Sequence, residues 1–318
     1  MHKVLFGGFS LRVVVTGGAG FIGSHLVRML VGKGWSVTVL DDFSSGKVEN
    51  LEGLSGSGLL RVVKGDVRDR QVLGEVLGGA DGVVHLAALV DPADSVRNPL
   101  LYNDVNVAGT VNVLQACVEK HVEKFVFASS AAVYGDGNPL PLREDYPLRP
   151  ASPYGASKVS GEYYCRVFSG CYGLGCVVLR PFNVYGPGQG NNQYAGVITK
   201  FVKAGFRGEA LLVYGDGSQT RDFVNVDDVA RAFVIALEHE PLKGEVFNIC
   251  TGATTSIDSL ARMVCEIAGK NLSISHVAPR EGDILHSYGD PDKAEMVLGF
   301  KTRVAFREGL TRYFESVA

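Results

Sequence analysis

Long apolar runs are missing from this sequence. No stretch reaches the roughly 20 residues a membrane-spanning helix needs, although 46% of the 318 residues are hydrophobic. The apolar residues are therefore expected to fill a core and not to cross a membrane. A dominant charge is missing too: the net charge is −3, and neither sign forms a long run. Neither a nucleic acid nor an anionic membrane surface is suggested as a partner. Internal repeats and low-complexity linkers are absent. The six cysteines are Cys117, Cys165, Cys171, Cys176, Cys250 and Cys265, with no C-x-x-C pair and no Cys/His cluster of zinc spacing, so no metal is expected. They read as buried thiols of a cytoplasmic protein, with Cys171 and Cys176 able to pair only where the compartment allows it. Residues 1–10 are mildly apolar, carry a weak basic region and run straight into a strand; they read as an extension and not as a signal peptide.

What is present is a long chain with enough apolar material for a large core and two unequal domains. It is organised around Thr16-Gly17-Gly18-Ala19-Gly20-Phe21-Ile22-Gly23. An apolar run at 11–15 precedes this stretch and a helix-like pattern at 24–30 follows it. The order is strand, tight glycine turn, helix start. Glycines let the backbone turn sharply and let a pyrophosphate approach closely. The free N–H groups and the dipole of the helix start favour its charge. A second apolar strand, 36–40, ends in Asp41, an acid placed to accept hydrogen bonds from an adenosine ribose and to repel a 2′-phosphate. This order favours NAD over NADP. Two glycine registers fit: Gly18, Gly20 and Gly23, or Gly17, Gly20 and Gly23.

Further strands are expected at 59–63, 82–86, 124–128, 176–179 and 246–249, and helices at 102–119 and 226–237. This alternation predicts an α/β fold with a parallel, doubly wound Rossmann sheet whose ligands lie at the carboxyl ends of its strands. The fifth strand runs into Ser129-Ser130-Ala131-Ala132-Val133-Tyr134-Gly135, and Tyr154-Gly155-Ala156-Ser157-Lys158 lies downstream. Tyr154 and Lys158 are four apart, so they share a helix face. A tyrosine titrates near about 10 when free, and a nearby lysine cation together with a positive nicotinamide favours the phenolate. Tyr154 can then take a proton from a sugar hydroxyl while hydride leaves the same carbon. Ser130 is placed to hydrogen-bond that oxygen. His85, inside an apolar run, reads as structural.

The glycine stretch and the Ser130, Tyr154-x-x-x-Lys158 set resemble the extended branch of the short-chain dehydrogenase/reductase superfamily, in its NAD-dependent epimerase/dehydratase group. The resemblance covers nearly the whole chain from Leu11 onward. It implies that Ser130, Tyr154 and Lys158 are catalytic and that Lys158 also holds the nicotinamide ribose. It implies NAD contacts from Gly17, Gly20, Phe21, Ile22 and Gly23 at the turn, and from Asp41, Asp42, Ser45 and Gly46 at the adenosine end. Asp66 and Val67 would lie against the adenine, the small residues after Leu86 (Ala87 and Ala88) along the cofactor, and Pro181 beside the nicotinamide. Asn106 matches a structural asparagine of the family.

Within that group, 4,6-dehydratases carry an Asp and a Glu before Val-Tyr-Gly, and decarboxylases keep a Glu; here those positions are Ala131 and Ala132. Methyl groups transfer no protons, which leaves oxidation at one carbon and return of the hydride, as in UDP-sugar 4-epimerases. The resemblance then implies substrate contacts from Ser130, Asn183, Tyr214, Arg221, Arg280, Asp283 and Ser287. The arginines lie on the diphosphate, Asp283 on the uridine ribose, and Ser287 at the position that gates the 2-substituent of the sugar. A small Ser287 leaves room for an N-acetyl group beside a UDP-glucose/UDP-galactose activity. Expected domains are an NAD-binding domain, 1–180, to which 226–249 returns, and a discontinuous UDP-sugar domain, mainly 181–225 and 250–318. A homodimer is implied through helices around 102–119 and 154–168. Another nucleotide-sugar epimerase or reductase, or a noncatalytic NAD-binding scaffold, is the competing expectation.

Overall fold

Valine-rich runs set the framework. In β1 (Arg12–Thr16), Val13 and Val15 point into the core on one face of a sheet while Val14 points into the core on the other, as the two-residue period of a strand requires. The computed structural model describes residues 10–190, 196–279 and 284–317. After β1 come α1 (Phe21–Gly32), β2 (Ser36–Asp41), β3 (Leu60–Lys64), α2 (Arg70–Val76) and β4 (Gly82–His85). Then follow α3 (Pro92–Arg97), α4 (Pro99–Tyr102), a π-type segment at Asn103–Ala108, α5 (Gly109–Glu119), β5 (Lys124–Ala128), α6 (Pro153–Tyr172) and β6 (Gly175–Pro181). Beyond them lie β7 (Asn183–Tyr185), α7 (Val197–Arg207), β8 (Leu211–Tyr214), β9 (Thr220–Arg221), β10 (Phe223–Asn225), α8 (Val226–Glu238) and β11 (Lys243–Ile249). The described chain closes with β12 (Thr255–Ser256), α9 (Ile257–Ala268), β13 (Ile274–Val277), β14 (His286–Ser287), α10 (Asp292–Leu298) and α11 (Phe306–Glu315).

Among the described residues, seven strands form one sheet in the order β11-β6-β5-β4-β1-β2-β3, and every pairing in it is parallel. Helices cover both faces, so the inner strands read as continuous apolar runs; β6 is buried at all seven positions. One face is filled by residues such as Leu26, Leu30, Leu179 and Phe233, the other by Leu73, Leu114, Phe125 and Val178. A separate core, including Tyr185, Phe201, Leu211, Leu260 and Leu310, holds β7, α7, β8, α9 and α11 together. α8 packs on α1, and β11 pairs with β6, so this late stretch of chain belongs to the large sheet. Ala294, Leu298 and Phe300 also join the core of the sheet and not the separate one. No helix among the described residues is long and apolar enough to cross a membrane.

Two local readings change. The helix expected over 102–119 starts earlier, at Pro99, and is interrupted by the π-type segment. The wider turn carries Asn106. Its amide accepts from the Leu89 N–H (2.8 Å) and donates to the Leu89 carbonyl and the Ser157 hydroxyl (both 2.9 Å), tying the loop after β4 to α6. All six thiols are free. Cys171 is exposed on α6 while Cys176 is buried in β6, so the two do not pair.

His85, at the end of β4, is 1% exposed and packs against the rings of Phe125 and Phe127. The Thr110 hydroxyl donates to the Asn106 carbonyl and so accepts from His85 Nε2 (3.0 Å). Nδ1 is then left to accept from the Thr16 hydroxyl at 2.7 Å. This network needs the neutral ring, and burial, with the Lys158 charge adding to it, lowers the His85 pKa to about 3. Unfolded, the ring titrates near about 6.5. Below that value the unfolded chain gains a proton the folded one refuses, so stability is full above about pH 6.5 and falls as pH drops toward 3. We expect His85→Gln to flatten the loss of stability between pH 6.5 and 4 by up to ~1.4 kcal/mol per pH unit. Urea unfolding at several pH values measures it; parallel slopes for the two proteins would refute the assignment.

Candidate active site

The turn between β1 and α1 is shaped by what its glycines lack. Gly17 has φ +69°, and a Cβ there would stand 2.7 Å from the Ala87 nitrogen. One at Gly23 would stand 2.3 Å from the Gly17 carbonyl oxygen. Both positions therefore exclude a side chain, and the backbone of Ala87, following Leu86, packs directly on the turn. The Ala87 N–H donates to the Thr16 hydroxyl (3.3 Å) and the Leu86 N–H to the Thr16 carbonyl (3.0 Å). Gly20 caps α1 in an extended conformation. No side chain caps this helix and its first turn, with Phe21 and Ile22, holds no acid. Unclaimed donors at the positive end of a helix, beside a bare backbone, fit a dinucleotide diphosphate.

Asp41, at the end of β2, is 6% exposed. Its two oxygens accept from the Phe43 and Ala19 N–H groups, each at 2.9 Å. Burial raises its pKa, and these two hydrogen bonds oppose the rise. The carboxylate thus ties the glycine turn to the β2 end and keeps further lone pairs for a ribose. Asp42 accepts from Ser44, and the loop through Ser45 and Gly46 closes back where the Lys47 N–H meets the Ala19 carbonyl (3.1 Å). Asp66 does not cap α2; Asp69 does. Asp66 instead pairs with Arg68 (2.6 Å), whose hydrogen bonds pull its pKa down. Val67 beside it is buried. Ala88 follows Ala87 past the β4 end.

α6 begins with Ser152, whose side chain accepts the Gly155 N–H (3.1 Å), and with Pro153 in its first turn. That start places Tyr154 and Lys158 one turn apart on the buried face, 8% and 4% exposed. The Lys158 ammonium donates to the Ala128 carbonyl at the end of β5 (2.9 Å) and lies over the rings of Phe127 (5.2 Å) and Tyr154 (5.9 Å). Burial lowers its pKa to about 8, against the pull of Glu162 and Cys165. Ser130 accepts the Ala132 N–H (3.1 Å) and lies beside Tyr154. The structure thus brings Ser130, Tyr154 and Lys158 together. In the protein alone burial raises the Tyr154 pKa, and Ser130 opposes the rise.

On the other side, Pro181 ends β6 and Asn183 begins β7 two residues later. The Asn183 side chain donates to the Asp222 carbonyl (3.0 Å). Arg221 sits on β9 beside Ser287 on β14 and donates to the Thr220 carbonyl (2.9 Å). Tyr214 ends β8, its carbonyl taking a hydrogen bond from Gln219. Arg280 and Asp283 lie outside the described residues. Sequence reasoning missed the residue that joins these segments. Asp222 is fully buried; its carboxylate accepts from Thr251 N–H (2.9 Å), the Thr251 hydroxyl (2.6 Å) and Gly252 N–H (3.0 Å), and its N–H donates to the Ser287 carbonyl (3.0 Å). It also missed the buried Glu162–Arg180 pair behind Lys158. A cleft of about 860 Å³ against α6, β11 and α10 is lined in part by Glu162 and Arg180, on the side away from Ser130, Tyr154 and Lys158.

A parallel doubly wound sheet, a glycine turn before α1, and a Ser/Tyr/Lys trio at the strand ends define an enzyme of the short-chain dehydrogenase/reductase type. The model of the NAD dependent epimerase/dehydratase family matches residues 13–250, and the chain belongs to that family. The UDP-glucose 4-epimerase of Mycolicibacterium smegmatis is 40% identical over 307 residues, 96% of this chain and 98% of that one. The UDP-N-acetylglucosamine 4-epimerase of Methanobrevibacter ruminantium, solved with UDP-N-acetylmuramic acid, superposes with a TM-score of 0.93 at 38% identity, covering 97% of this chain and 98% of that one. The UDP-glucose 4-epimerase of Thermus thermophilus, solved with NAD, gives 0.86 at 38% identity, covering 96% and 98%.

Proposed function

We propose that the protein interconverts the C4 epimers of a UDP-hexose, UDP-glucose and UDP-galactose, using NAD. The observation that carries the reading is the Lys158 hydrogen bond to the β5 end with Tyr154 and Ser130 beside it, where Ala131 and Ala132 offer no proton-transferring group. NAD, when bound, supplies hydride acceptance and return at C4. The uncapped α1 start, the turn at Gly17, Gly20 and Gly23, and the Asp41 carboxylate are the groups suited to hold it. Tyr154 takes the C4 hydroxyl proton and gives it back, and Ser130 holds that oxygen in line. The Tyr154 phenol is protonated in the protein alone, so positive charge must be brought beside it to free the base. Lys158, charged below about pH 8, contributes part of it. Arg221 and Arg280 suit the diphosphate and Asn183, Tyr214 and Asp283 the rest of the nucleotide, an anchor remote from C4 that leaves the sugar free to turn. In this reading the cofactor half is 1–180 with 226–249, and the substrate half is mainly 181–225 and 250–318.

A second reading extends the substrates to N-acetylated UDP-hexoses. It is supported by the small Ser287 beside Arg221 and by the likeness to the M. ruminantium enzyme. We also propose a homodimer. α4 and α6 pack together and leave Leu100 (84%), Leu101, Tyr163, Tyr164 and Val167 exposed, an apolar face suited to a second copy.

Purified wild type is expected to convert both UDP-glucose and UDP-N-acetylglucosamine. Tyr154→Phe should lose turnover of both by about 10²-fold or more while retaining NAD. Ser287→Tyr should lose only the N-acetylated substrate, because overfilling a packed site is costly. A Tyr154→Phe enzyme of near-wild-type kcat, or equal losses in Ser287→Tyr, would reject the respective assignment. Light scattering is expected to give twice the chain mass at micromolar concentration; the monomer mass would exclude the dimer.

A further inference from the structure

Tyr154, Lys158 and Glu162 follow one another at four-residue intervals, a single stripe on the buried face of α6. Glu162 is 6% exposed and is held from two strands. From β6, Arg180 donates to it through Nε (2.8 Å) and Nη2 (2.6 Å). From the end of β5, the Ser129 hydroxyl donates to its Oε1 in a short hydrogen bond. Ser129 immediately precedes Ser130, and its N–H donates to the Leu179 carbonyl (2.8 Å), next to Arg180. Arg180 is fixed in turn by the Tyr134 hydroxyl (2.8 Å), which donates to Asn248 on β11 (2.7 Å). One carboxylate therefore locks α6, which carries Tyr154 and Lys158, to the end of β5, which leads to Ser130, and to β6, which leads to Pro181.

The same carboxylate matters electrostatically. Lys158 is faced by Tyr154, Glu162 and Cys165 on its own helix and by His85 on β4; β5 presents only the Phe127 ring and the Ala128 carbonyl, and Arg180 of β6 stands behind Glu162. Burial holds His85 and Cys165 neutral and Tyr154 protonated. Glu162 is the negative charge in that set. We propose that Glu162 is a positioning residue for the proton-transfer site, setting Ser130 against Tyr154 through Ser129 and supplying the negative charge that faces the Lys158 ammonium. The inference rests on the trio having the role given above.

Three variants test it in the NAD-loaded protein: Glu162→Gln, Glu162→Asp and Ser129→Ala. The Lys158 side chain, labelled with ¹³C at Cε, is titrated by NMR, and kcat is followed against pH. Glu162→Gln is expected to move the Lys158 midpoint down by about one pH unit or more, as removal of a facing charge should. The alkaline limb of kcat should move with it, and Glu162→Asp should restore most of both. Ser129→Ala, which keeps the charge and the Arg180 pair, should lower kcat about tenfold with the Lys158 midpoint unchanged. An unmoved midpoint in a folded Glu162→Gln protein overturns the electrostatic role, and unchanged kcat in Ser129→Ala overturns the geometric one. If Glu162→Gln fails to fold, Glu162→Asp and Ser129→Ala decide. The lysine titration needs no turnover, so a wild type inactive on UDP-hexoses rejects the proposed function and leaves this measurement to judge Glu162.

Discussion

The backbone hydrogen bonds joining β1, β2, β4, β5 and β6 run in one sense, so Thr16, Asp41, His85, Ala128 and Pro181 all end at one edge of the sheet. Groups that the chain separates by more than a hundred residues meet there because no parallel strand can return without a crossover. The glycine turn leaves β1, Asp41 closes β2, Ser130 leaves β5, and the turn toward β7 leaves β6. A ligand laid along that edge touches each of them in turn.

Burial then decides what these groups can do. It pushes Lys158 down and Tyr154 up, in the direction that makes each neutral. A buried base is weak until charge is brought to it, and a buried ammonium survives only with a negative group near by. The same medium that expels water from the reacting carbon thus makes the site dependent on Glu162, and makes Glu162 in turn dependent on Arg180. His85 follows the rule from the opposite side. Buried and beside the Lys158 charge, the ring stays neutral and serves as a rivet between β1, β4 and α5.

Local patterns carried much of this in the sequence. Strands and helices alternate visibly, the three glycines stand between an apolar run and a helix start, and Tyr154 and Lys158 sit at helical spacing behind a strand-end serine. Groups defined by long-range packing were less legible. Glu162 and Arg180 look like ordinary surface charges until α6 is laid on β6, and Asp222 looks like the tail of a loop until β7, β9, β14 and Thr251 converge on it. The π-type segment at Asn103–Ala108 is hidden for a similar reason: nothing in its local pattern marks a break, and only the pull of Asn106 toward Leu89 and Ser157 shows why the turn widens.

Hydride removal and return at C4 by a tyrosine-centred site is the claim on which the rest stands. Its most direct test is UDP-glucose carrying deuterium at C4, incubated with the purified protein and analysed by NMR after the epimers are resolved. UDP-galactose that keeps the label at C4, with none released to water, is the expected result. Loss of the label to solvent, or no change of configuration in either UDP-glucose or UDP-N-acetylglucosamine, would contradict it.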